Sequence, residues 1–135
     1  MKRVIISGSA KLQDNINQWV KYFENKNYEV LDYPKLVKQE NYINELEDVY
    51  KNFYRSIENT DVFFLANEEK NGIKGYIGAG MFAELTYAVI LNLVHNKNIE
   101  IYILNIPSSE LPQYDEVKFF IDMGYIKLYE EKFIC

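Results

Sequence analysis

The 135-residue sequence predicts an α/β fold: a single domain over residues 1–135, with an open, doubly wound, mostly parallel five-stranded sheet and helices on both faces. Three observations carry this expectation. Short β-branched runs alternate with segments of helical period along the whole chain, in the order β-α-β-α-β-α-β-α-β. The most apolar run, Val62-Phe63-Phe64-Leu65, has no polar side, as a central parallel strand covered on both faces requires. No internal repeat, low-complexity tract or linker divides the chain, and this length suits one core rather than two.

Taken in order, Val4-Ile5-Ile6 reads as a buried first strand that ends in the loop Ser7-Gly8-Ser9. Leu12, Ile16, Trp19, Val20 and Phe23 recur at helical spacing and place a first helix over 12–25, with Trp19 in its core face. Residues 28–31 form the second strand, and Pro34 opens an exposed connection. Tyr42, Leu46, Val49, Tyr50, Phe53 and Ile57 make the apolar stripe of a second helix. Asp61 then orients the start of the third strand, 62–65. A glycine-rich stretch leads to a third helix over 80–95, and 99–104 is the fourth strand. The fourth helix is expected over 110–123, with Pro112 in its first turn, Ser108-Ser109 and Gln113 as its N-terminal cap, and Gly124 as its stop. Residues 125–129 supply the last strand. In an open sheet of this flavodoxin or Rossmann-like kind, ligands bind beyond the carboxyl ends of the strands. Function is therefore expected in the loops 7–11, 67–80 and 105–109.

Composition excludes several classes of function. Formal net charge is −5 with the two signs mixed throughout, so no basic stripe invites a nucleic-acid polymer. A lone cysteine, Cys135, rules out a disulfide framework or a Cys-rich zinc site within one chain and fits a reducing cytoplasm. The sole histidine, His95, has no carboxylate one helical turn away, so no metal is expected; at a helix end its cation suits the dipole. The apolar run behind Met1-Lys2-Arg3 is too short for a signal-peptide core, and no stretch is long enough to span a membrane. The 12 tyrosines read as half-buried rims, with Tyr114, Tyr125 and Tyr129 as candidate contacts in an oligomer.

The stretch Asn71 to Ala88, NGIKGYIGAGMFAELTYA, holds four of the six glycines: Gly72, Gly75, Gly78 and Gly80. Glycine at a strand-to-helix turn lets backbone approach a ligand and presents the first N–H groups of the helix to an anion or to sugar hydroxyls. Neither phosphate fingerprint is present, because GxxxxGK[ST] is absent and position 83 of the would-be GxGxxG is alanine. Simple loop turning with tight helix packing accounts for the same glycines. Glu84 lies on the shoulder of the apolar face through Phe82, Leu85, Val89 and Leu93, where its carboxylate can lean over the strand ends. An acid in the first turns of a helix also meets the dipole favourably, which is the structural alternative.

SIENTDVFFLAN followed by GYIGAGMFAELTYA resembles the nucleoside 2-deoxyribosyltransferase-like family, which includes the 2'-deoxynucleoside 5'-phosphate N-hydrolases; the SGS loop after the first strand also fits. The resemblance implies cleavage or transfer at an N-glycosidic bond without a cofactor. Glu84 would meet C1' of the sugar, since a carboxylate stabilises or bonds the positive anomeric carbon that cleavage develops. Gly8, Ser9, Gly78 and Gly80 would shape the sugar or phosphate end. Asn67 would bond base or sugar, and Tyr76 would stack on a base or cover the cleft, though it reads equally as a plain loop aromatic. A nucleoside or nucleotide would be the partner, and a homo-oligomer, most simply a dimer, is implied. Two positions depart from the family: it has an aspartate where this chain has Phe53, and a tyrosine where this chain has Ile5. A leaving base usually needs a proton, so Phe53 leaves a second reading open: a non-catalytic nucleotide or small-metabolite binding protein on the same fold.

Overall fold

A computed structural model describes residues 1–130 apart from 39 and 41; Cys135 lies outside the described residues. The elements run β1 (Arg3–Gly8), α1 (Gln13–Asn25), β2 (Glu29–Asp32), α2 (Tyr42–Asn59), β3 (Val62–Ala66), α3 (Ala79–His95), β4 (Glu100–Ile103), α4 (Tyr114–Asp122) and β5 (Lys127–Leu128). The strands form one five-stranded sheet in the order β2-β1-β3-β4-β5, and every pairing is parallel.

Alternation along the central strands divides the core in two. Val4 and Ile6 of β1, with Val62, Phe64 and Ala66 of β3, point to the face covered by α1. Ile5, Phe63 and Leu65 point to the face covered by α2, α3 and α4. Both strands are buried on each face, which is why they carry β-branched and aromatic residues without a polar side. On the α1 face Trp19 packs on Phe64 at 4.8 Å between ring centroids and donates its indole N–H to Glu68. At the amino ends of the strands, Asp61 accepts from the Arg3 backbone N–H at 2.8 Å and pairs with the Arg3 guanidinium at 3.1 Å, tying β1 to β3 as expected of an orienting acid. The Arg3 hydrogen bonds hold its carboxyl below the usual range.

Three expectations need correction. The fourth helix starts at Tyr114, not 110. Leu111 and Tyr114 make three-residue turns to the carbonyls of Ser108 and Leu111, and the Gln113 amide donates to the Ile77 carbonyl instead of capping a helix. Ser108 Oγ accepts from Glu110 N–H within that turn. The last strand shrinks to Lys127–Leu128. Only Phe53 and Ile57 of the α2 stripe are buried, Tyr42, Val49 and Tyr50 stay exposed, and Val49 and Tyr50 line a cavity instead of the core. Gly124, with φ +75°, does end α4, and His95 closes α3.

Candidate active site

The strand order reverses between β1 and β3, so the chain leaves their carboxyl ends in opposite directions and opens a crevice there. A cavity of about 290 Å³ occupies it. Gly8 at the end of β1 and Ala10 just beyond it line the cavity, with Asp32 to Lys35 from the end of β2, Val49, Tyr50, Asn52 and Phe53 from α2, and Gly80, Met81 and Glu84 from α3. A groove of about 330 Å³ lies at the other end of the sheet, between the last turns of α3 and the start of β4, away from the strand ends where such folds bind ligands.

Glu84 is half-buried in the cavity wall, on the α3 shoulder expected from its helical position. Ser7, fully buried in β1, donates its hydroxyl to Glu84 Oε1 at 2.6 Å and fixes the carboxyl. Burial pushes this carboxyl up from 4.5 to about 7; the Ser7 hydrogen bond works against the rise and the negative charge of Asp32 adds to it. Glu84 therefore changes protonation near neutral pH.

Gly8, Gly80 and Glu84 meet in the cavity. Ser9 and Tyr76 gather instead around Lys70, whose ammonium donates to Ser9 Oγ at 2.8 Å and sits 5.0 Å from the centre of the Tyr76 ring, and Gly78 lies against that ring. This group adjoins the cavity through the neighbours Gly8 and Gly80. Asn67 belongs to neither. Its fully buried amide donates to the Asn105 and Gly75 carbonyls and accepts from the Leu104 and Asn105 N–H groups. Those four bonds use its full capacity and clamp the end of β3 to the chain leaving β4, so its amide has no spare donor or acceptor for the base or sugar expected of it.

Sequence reasoning missed Asp32 and Lys70. Asp32 ends β2 in the same cavity as Glu84, and its Oδ1 accepts from the Tyr33 N–H at 2.8 Å and from Lys35 at 3.1 Å. Its position at a strand's carboxyl end was the available signal. Phe53, where the resembling family has an aspartate, forms part of the apolar wall. Ile5, in β1, is fully buried in the core on the face covered by α2, α3 and α4. Among the described residues no three His, Cys, Asp or Glu side chains come together as a metal site requires.

No family model matches the sequence, and no curated protein matches it by sequence. Among solved structures the chain is similar to the CMP N-glycosidase BcmB of Clostridium botulinum, with a TM-score of 0.59 at 16% identity over 97% of this chain and 93% of that one. The two share a fold. The likeness spans almost the whole of both chains, so the five-stranded architecture that holds the cavity is common to them. Among the described residues no helix is long and apolar enough to cross a membrane.

Gly80 gives a clean local test. It occupies the first turn of α3, where alanine favours the helix, and a Cβ there would meet nothing within 4 Å. Gly80→Ala should therefore fold as well or better, by up to about 1 kcal/mol. If its bare backbone serves close approach of a ligand, nucleotide affinity falls about 10-fold or more, as isothermal titration would show; unchanged affinity would place the ligand elsewhere.

Proposed function

We infer that this protein cleaves the N-glycosidic bond of a nucleoside or nucleotide, with Glu84 meeting the anomeric carbon. The observation that carries the reading is a carboxyl anchored by Ser7 in a cavity at the strand switch point, on a fold shared with a CMP N-glycosidase. As the bond to the base breaks, positive charge grows at C1', and a fixed carboxylate beside it stabilises or bonds that carbon. Water then delivers its oxygen to C1' and its proton passes to the departing base, or a second base bonds C1' through a ring nitrogen and gives up that nitrogen's proton. The apolar wall of Tyr33, Tyr50 and Phe53 suits a base, and the Ser9, Lys70, Tyr76 and Gly78 group, with the first N–H groups of α3, suits a 5'-phosphate.

Because Glu84 must be ionised to act this way, kcat/KM should rise with pH and level off above about 7. Incubation with nucleosides and nucleoside monophosphates, followed by chromatography, should yield free base that Glu84→Ala fails to release. Phe53 favours the second reading, a binding protein, since no acid occupies that wall. Ligand-induced melting shifts without base release would select it. No response to any nucleotide would overturn both.

The reading extends to a homo-oligomer, most simply a dimer. From Leu85 to Val94, α3 carries no charged residue, and Ile90, Leu93 and Val94 are exposed. A second copy would cover that apolar face. Light scattering on the eluted protein should report the mass of two chains, and a monomer would contradict this part.

A further inference from the structure

We propose that the site selects ribose over 2-deoxyribose, with Asp32 accepting a hydrogen bond from the sugar 2'-hydroxyl. This rests on the glycosidase reading and names the substrate class of the same site. It departs from the deoxyribose that the sequence resemblance implies. The placement follows from connectivity in the sugar: C2' is bonded to C1', so a sugar whose anomeric carbon meets Glu84 carries its 2'-hydroxyl in the same cavity. Asp32 and Glu84 are the two carboxylates lining that cavity, one from the end of β2 and one from α3.

Asp32 is built as an acceptor. The Tyr33 N–H and the Lys35 ammonium both engage Oδ1, while no hydrogen bond among the described residues engages Oδ2. The side chain is only 14% exposed, against 57% for Lys35, so little water competes at the carboxylate. Tyr33, Pro34, Val49, Tyr50, Phe53 and Met81 offer apolar surface to a base, while Asp32, Glu84 and the bare backbone of Gly8 and Gly80 offer the polar groups a sugar needs. An acid at the end of the second strand, facing a glycine turn after the first, is also where open parallel sheets hold ribose hydroxyls.

A site that must hydrogen-bond a hydroxyl rejects the analogue that lacks it, because the buried acceptor is then left unpaired. The hydroxyl beside the reacting carbon also strengthens its hydrogen bond as positive charge develops. With one charged acceptor the expected preference is about 100-fold in kcat/KM.

The test compares matched pairs of ribonucleoside and 2'-deoxyribonucleoside monophosphates of the four common bases, reading free base with the wild-type protein and melting shifts with Glu84→Gln. The expected result is base release from the ribo member about 100-fold faster and a larger melting shift from it. In Asp32→Asn the ratio should fall to within a few-fold of one, with the loss borne by the ribo member. Equal use of both sugars, a preference for the deoxy member, or a ratio unmoved in Asp32→Asn overturns the inference while leaving the glycosidase reading intact. Release from neither member, with a larger shift from the ribo member, supports ribose selection and overturns the glycosidase reading. Equal shifts, or none, with no release overturn both. The wild-type comparison needs no variant to fold.

Discussion

Glu84→Gln is expected to abolish base release and, at the same time, to make the protein more stable above neutral pH. The two effects share one cause. Burial raises the Glu84 carboxyl from 4.5 to about 7, so the folded chain holds a proton that the unfolded chain has already lost. Below pH 4.5 both states are protonated and the group costs nothing. Between 4.5 and 7 the unfolded chain ionises first, and stability drains away; above about 7 the loss is complete. That rise corresponds to at most about 3 kcal/mol, because a half-buried carboxylate keeps some of its water. Glutamine keeps the shape and cannot ionise. Its melting point should match wild type near pH 4, then exceed it by about 10 °C at pH 8. Calorimetry at a series of pH values checks this. Equal melting points at pH 8 would mean that Glu84 ionises as freely as an exposed acid, and the cavity would lose its poised carboxyl.

Asn67→Ala is expected to produce the largest stability loss of any single change named here, through structure and not chemistry. Four hydrogen bonds of the Asn67 amide join the end of β3 to the chain leaving β4 and to Gly75 in the glycine loop. Truncation leaves the carbonyl of buried Gly75, and the N–H and carbonyl of Asn105, without these partners, at a cost of about 3 kcal/mol. Asn67→Asp should be no better, because a carboxylate oxygen would replace the donor that faces those carbonyls. Thermal melts at pH 7 should fall by about 10 °C for either change. Nucleotide affinity in the protein that remains folded should be close to wild type, since Asn67 offers a ligand no free donor or acceptor. A selective loss of affinity without loss of stability would return Asn67 to the binding site.

How far the sequence is legible follows from which signals are local. The double-sided burial of β1 and β3 is readable because a short, continuous apolar run of β-branched and aromatic residues suits a strand covered on both faces and would be costly to leave in water. The shoulder position of Glu84 is readable from helical periodicity alone. Three features need tertiary information. Asp32 three residues before Lys35 looks, in sequence, like any surface ion pair, and only the switch-point crevice brings it opposite Glu84. Asn67 at a strand end reads the same whether it serves a ligand or clamps a neighbouring strand, and β4 decides between them. The false start of α4 at 110 comes from cap-like residues whose bonds close successive turns instead. The α2 stripe is half right, since its first turns leave Tyr42, Ile43 and Val49 exposed.

One measurement bears on Glu84 without relying on turnover: a crystal structure of Glu84→Gln soaked with an intact nucleoside monophosphate. C1' of the sugar is expected about 3–3.5 Å from the side-chain oxygen at position 84, with the base against Tyr33, Tyr50 and Phe53. A nucleotide seated in the groove at the far end of the sheet, or one whose sugar lies out of reach of position 84, would contradict it.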